Sequence, residues 1–133
     1  MKATQTIALF GEAERGEFRK PYMCQSLSQL VETLGNPPPN TLGLYYAIQA
    51  LLFEYQLIFM RVKEEGFSFP DYIQGMCMLE DLKLLTSLSA VCAPGVGDAE
   101  IINAIAPKCS SSHSIFITRE ADLYDYLTEY HCA

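Results

Sequence analysis

Leu88-Ser89-Ala90-Val91-Cys92-Ala93-Pro94-Gly95-Val96-Gly97-Asp98 passes from an almost purely apolar segment into a glycine turn and then to a helix-capping residue. An apolar run of this length without polar alternation belongs to a strand buried on both faces, the habit of parallel sheets covered by helices. Thr6 to Phe10, Leu57 to Val62 and Ile115 to Thr118 have the same character, and each ends in a glycine- or charge-rich turn followed by helix-like sequence. Four such runs separated by helix-length segments predict an α/β domain.

The intervening segments fit that reading. Gly11 to Pro21 holds three glutamates, two arginines and a lysine, which predicts a solvated loop. Ser26 and Gln29 form a capping box ahead of the amphipathic stripe Leu27, Leu30, Val31 and Leu34, and Gly35 with Pro37 stops that helix. After the stiff Pro37-Pro38-Pro39, Asn40 or Thr41 is expected to cap a second helix carrying Leu44, Ile48, Leu51 and Leu52. Ser68 or Pro70 opens a third, with a short stripe of Ile73, Met76 and Cys77 weakened by Gly75. Asp98 caps a fourth helix bearing Ile101, Ile102 and Ile105, which Pro107 is expected to end. A fifth places Leu123, Tyr126, Leu127 and Tyr130 on one face. The order β-α-α-β-α-β-α-β-α resembles a small Rossmann-like or flavodoxin-like domain: a three-layer sandwich with a mainly parallel sheet of at least four strands.

Composition bounds what such a domain does. A length of 133 residues predicts a single domain spanning residues 1–133. The net charge of −7, with only nine Lys and Arg, argues against the basic face that neutralises nucleic-acid phosphates. Five cysteines form an odd set without tight spacing, and no secretory leader is evident, so a reducing cytoplasm is expected. Leu42 to Met60 is apolar enough to test as a membrane span, but Glu54 breaks it into a buried helix and a buried strand.

Parallel strands bring their following turns to one edge, where α/β sheets bind ligands. The turns supply Glu12, Glu14 and Arg15; Lys63, Glu64 and Glu65; Gly95, Gly97, Asp98 and Glu100; and Arg119, Glu120 and Asp122. Gly95 and Gly97 would let the backbone N–H groups of a helix start approach a phosphate, with Asp98 and Arg119 beside them as ligand-binding candidates. The dinucleotide fingerprint fails at Glu100, a Walker loop lacks its Gly-Lys-Ser/Thr, and a Cys-x5-Arg loop from Cys92 meets Asp98 instead of arginine. A tight strand-to-helix turn capped by Asp98 explains the same residues without a ligand.

Pro94 to Glu100 is similar to the P-G-G-x-G-T-x-x-E turn of LOG-type nucleotide phosphoribohydrolases, lacking one glycine and the threonine, over seven of 133 residues. The resemblance makes nucleotides a ligand class to test. Glu12, Glu14 and Glu100 are the catalytic candidates, since carboxylates at strand ends divide acid and base roles or coordinate Mg²⁺ with substrate phosphates. Two histidines, His113 and His131, make no zinc set, and Cys92 in its apolar run reads as an inert thiol. The expected activity is therefore binding of, or action on, a phosphorylated small molecule such as a nucleotide. Its alternative is a non-catalytic interaction or oligomerisation module. Tyr45, Tyr46, Tyr124, Tyr126 and Tyr130 exceed what the apolar stripes need, which predicts a homodimer through tyrosine-bearing helices.

Overall fold

The computed structural model describes residues 5–132, with backbone only for residues 129–132. Five strands, β1 (Thr6–Gly11), β2 (Pro21–Cys24), β3 (Gln56–Arg61), β4 (Leu88–Cys92) and β5 (Ile115–Ile117), form one sheet in the order β2-β3-β1-β4-β5. All four strands expected from the apolar runs are present, and β3, β1, β4 and β5 are mutually parallel. The chain therefore leaves β1 toward β3 on one side, crosses back to β4 on the other, and continues outward to β5.

The helices are α1 (Leu27–Leu34), α2 (Gly43–Leu52), α3 (Phe69–Asp81), α4 (Ala99–Ser111) and α5 (Glu120–Cys132). Alternate strand residues build two cores. Ile7, Leu9, Leu57, Phe59, Ala90, Cys92 and Ile117 pack with α1, α2 and α5, while Ala8, Phe10, Ile58, Met60, Leu88 and Val91 pack with α3 and α4. Both faces of the sheet are covered, which is why its strands read as unbroken apolar runs. The result is a three-layer α/β arrangement.

Several local expectations need correction. Between the loop expected over Gly11 to Pro21 and α1 the chain adds a strand that no apolar run marked: β2 begins at Pro21, runs antiparallel to β3 and forms an edge. Pro21 begins it, a position where the missing N–H removes nothing from the ladder. Pro107 does not end α4; it lies inside a helix that continues to Ser111. In α1 only Leu30 and Leu34 are buried, while Leu27 and Val31 are 40% and 50% exposed. In α2 the buried face is Leu44, Tyr46, Ala47 and Ala50, and Leu52 is 64% exposed. Cys77 on α3 is exposed, whereas Gly75 is buried against Phe10. A Cβ there would collide with the Phe10 ring, so Gly75 permits close approach of helix and sheet.

The apolar stretch from Leu42 divides as expected: α2 ends at Leu52, Glu54 adopts a φ of 67°, and β3 begins at Gln56. Among the described residues no helix is long and apolar enough to cross a membrane.

Candidate functional site

The crevice favoured by this topology lies at the carboxyl ends of neighbouring β1 and β4, whose outgoing connections run in opposite directions. Pairing of Leu9 with Cys92 carries Gly11 to the level of Pro94. Loop 12–20 instead crosses the end of β3 and is fastened there. Arg61 Nη1 donates to the Gly16 carbonyl at 2.6 Å, the Arg61 guanidinium lies 4.4 Å from the Phe18 ring centre, and Arg19 pairs with buried Asp71 at 3.8 Å. These cations hold backbone and carboxylate groups of the protein itself.

Glu65 organises the β1 side. Neither Asn40 nor Thr41 caps α2; Leu42 occupies the cap position without a side-chain bond of its own. The Glu65 carboxylate replaces the local cap, accepting from Leu42 N at 2.8 Å on Oε1 and from Gly43 N at 2.8 Å on Oε2. Its Oε2 also accepts from Glu12 N at 2.9 Å. A helix N-terminus favours an anion, and here the chain provides one. Gly11 and Gly43 make room for it: a Cβ on Gly11 would lie 2.7 Å from Gly43 Cα and 3.1 Å from Glu65 Oε2.

The predicted carboxylates do not converge. Glu12 Oε2 accepts from Glu65 N at 3.0 Å, whereas Glu14 Oε1 accepts from Asn36 N at 3.0 Å beyond the end of α1. Glu100 is exposed in the first turn of α4. Among the described residues no group of three or more His, Cys, Asp or Glu is placed to hold a metal ion.

The β4 side is open. Gly95 has a φ of 81°, a left-handed conformation that favours glycine, while Gly97 does not. A Cβ added to either would meet nothing within 4 Å. Gly95 instead provides a packing contact through its carbonyl oxygen, 2.5 Å from where a Cβ on Gly66 would stand. Asp98 caps α4, its Oδ1 accepting from Glu100 N at 2.7 Å. Among the described residues the N–H groups of Gly97, Asp98 and Ala99 make no bond to a protein acceptor.

 The amide of Ala99, the first helical residue, is thus open to a ligand together with those of the turn before it. Arg119 is exposed and already engaged: its Nε and Nη2 donate to the Asp122 carboxylate at 3.2 and 3.4 Å, which holds the guanidinium above its ordinary pKa.

One residue that sequence reasoning placed among surplus tyrosines belongs to this edge. Tyr46 is 1% exposed, near the start of α2, and a helical side chain leans toward the N-terminus. Burial, then the nearby Glu120 carboxylate, push its phenol up to about 12, with Cys92, Glu65 and Asp122 contributing further. Across from it, Gln49 Nε2 donates to Glu120 Oε2 at 3.2 Å and ties α2 to the start of α5. Cys92 beneath is fully buried, and desolvation pushes its thiol well above the ordinary value, as expected of an inert cysteine.

A cavity of about 320 Å³ lies at the opposite, amino edge, lined by Glu80, Leu85, Thr86, Pro107, Lys108, Ser111 and Ser112. Lys108 and Glu80 close a 2.6 Å ion pair beside it. That cavity offers volume, whereas topology and open backbone donors favour the carboxyl edge. The donors supply directional chemistry that volume alone does not.

No protein-family model, no curated protein and no solved structure matches this chain.

Proposed function

We propose that this chain is a Rossmann-like or flavodoxin-like binding domain that takes a phosphorylated small molecule, with nucleotides the leading class, at the carboxyl edge of its sheet. The observation that carries the reading is the open turn from Gly95 to Ala99, whose glycines face free space at the start of α4. Phosphate there would be held by backbone N–H groups and the helix dipole. The start of α2 is already filled by Glu65, which directs an incoming anion to α4. Arg119 would assist only after release from Asp122. Asp98 caps the helix and opposes a bare anion, so Mg²⁺ entering with the ligand's phosphates is part of the reading.

Acid–base work in this reading falls to Glu100. Glu12 and Glu14 already accept hydrogen bonds that fasten loops, whereas the Glu100 side chain is exposed next to the turn. A thermal-shift screen of nucleotides and sugar phosphates, with and without Mg²⁺, tests the proposal. A ligand at 100 times its Kd should stabilise the protein by about 2.7 kcal/mol. Absence of a shift across the panel contradicts it.

A second reading is self-association without catalysis. Tyr46 and Tyr126 are core residues, which reduces the tyrosine surplus, but Tyr45 and Tyr124 are 52% and 57% exposed on the contacting helices α2 and α5. The Tyr130 side chain lies outside the described residues. A homodimer through Tyr45, Leu52 and Tyr124 would cover this surface. Sedimentation at micromolar concentration decides it, a strictly monomeric species being the contrary result.

A further inference from the structure

Among the described residues Arg61 and Lys63 pair with no carboxylate, although acids outnumber bases sixteen to nine in the chain. Both stand instead against one aromatic ring. The Arg61 guanidinium lies 4.4 Å and the Lys63 ammonium 5.8 Å from the centre of Phe18. A ring attracts a cation but leaves its N–H donors unused, and two like charges gathered at one place repel. An anion between them would relieve both deficits.

The backbone holds this arrangement in place. A β-bridge joins Phe18 to Arg61 at the end of β3, and Arg61 Nη1 donates to the Gly16 carbonyl at 2.6 Å. Two residues on, Lys63 N donates to Asp71 Oδ2 at 2.8 Å, which ties the segment to the first turn of α3. The buried Asp71 carboxylate is engaged there by Arg19 as well, at 3.8 Å, and pairs with neither the Arg61 guanidinium nor the Lys63 ammonium. Of the Arg61 donors only Nη1 is used; Nε is enclosed without a partner, which costs free energy, and Nη2 makes no hydrogen bond. The Lys63 side chain is exposed, and Phe18 is 37% exposed beside it.

We propose that Arg61 and Lys63, flanking Phe18, form a binding site for the oxyanion group of a small molecule, a carboxylate or a phosphate. Arg61 donates through Nη2, Lys63 supplies a mobile point charge, and the Phe18 ring packs against the carbon skeleton that bears the anion. The site goes beyond the phosphate reading of the turn before α4 and does not rest on it. β1 stands between β3 and β4, so the two places are two strand spacings, about 10 Å, apart across the sheet.

NMR titration of the full chain with benzoate and, separately, phenyl phosphate, at an ionic strength held constant with sodium chloride, tests it at the Arg61 Nε–H, the Phe18 ring and the Gly95 and Gly97 amides. At least one probe should shift the Arg61 and Phe18 signals saturably, and the tighter of the two names the anion class. Lys63→Gln should weaken that probe about fivefold with Tm unchanged, since the ammonium has no ion pair to lose. Lys83→Gln, which removes an exposed charge beyond the C-terminal end of α3, should leave binding as it was. Arg61 and Phe18 signals unmoved by both probes, an unaltered affinity in Lys63→Gln, or equal weakening by the two substitutions overturns the inference. In phenyl phosphate the glycine amides report separately on the turn before α4: their silence contradicts the phosphate reading there, and their response with Arg61 and Phe18 unmoved by either probe sustains that reading and overturns this site.

Discussion

Glu12 and Glu65 bond reciprocally across the carboxyl edge: Glu12 N donates to Glu65 Oε2 at 2.9 Å, and Glu65 N donates to Glu12 Oε2 at 3.0 Å. Two acidic side chains thereby join the ends of β1 and β3 without a cation between them. Each carboxylate meets the other's backbone donor, so like charge is offset by hydrogen bonding. Glu65 additionally caps α2, which makes it a structural residue in the middle of the edge proposed to take the ligand.

Glu65→Ala should lower stability by about 1 to 3 kcal/mol, because it removes a helix cap and leaves the amides of Glu12, Leu42 and Gly43 without their acceptor. Urea unfolding measures this. A change within about 0.5 kcal/mol, the range of an ordinary surface substitution, would show that the cap is dispensable.

Gly75→Ala should destabilise by about 1 to 3 kcal/mol despite alanine's higher helix propensity, because the new methyl meets the Phe10 ring. Denaturant unfolding of this variant distinguishes close helix–sheet packing from a merely weak helix. A gain in stability would mean that α3 stands farther from β1 than described.

The central strands were legible because their two-sided burial leaves no polar alternation in the sequence. β2 was not: its four residues begin with Pro21, and Met23 is 53% exposed on the sheet edge. The buried face of α2 was misjudged because Tyr46 counted as excess aromatic surface when it is core. Glu65 was visible only as one charge in Lys63-Glu64-Glu65-Gly66. Its partners lie 22, 23 and 53 residues away, and the one local hint is that α2 starts at Gly43, after Leu42, without a capping side chain. Of the candidate site, the glycine turn and Asp98 cap could be read from local spacing; which carboxylates converge depends on loop paths that spacing does not encode.

Alkaline pH should expose the Tyr46 environment. Its phenol titrates at about 12 when folded, against about 10 in an unfolded chain. Below pH 10 both states retain the proton and the contribution is whole. Between pH 10 and 12 the unfolded chain alone loses it, so stability falls as pH rises. Tyr46→Phe should make that decline shallower in denaturant unfolding at stepped pH, and an unchanged slope would contradict the assigned environment.

Thiol labelling should separate the described cysteines. Cys24, Cys92 and Cys109 are buried and burial pushes each thiol upward, to about 11 for Cys109, whereas Cys77 is exposed. Iodoacetamide under native conditions at pH 8 should modify Cys77 first among these four, as read by peptide mass. Prior labelling of Cys92 would contradict its place beneath α2.

The proposed ligand enters at the carboxyl edge, against the turn before α4. An amide chemical-shift map of the chain titrated with ribose 5-phosphate and Mg²⁺ tests it most directly. Saturable shifts are expected at Gly95, Val96, Gly97 and Ala99, abolished in Gly97→Val while the variant stays folded, because Gly97 has neither a left-handed backbone nor a neighbour within 4 Å of an added Cβ. Shifts gathered instead around Glu80, Lys108, Ser111 and Ser112 at the opposite edge, or no shifts at all, would contradict it.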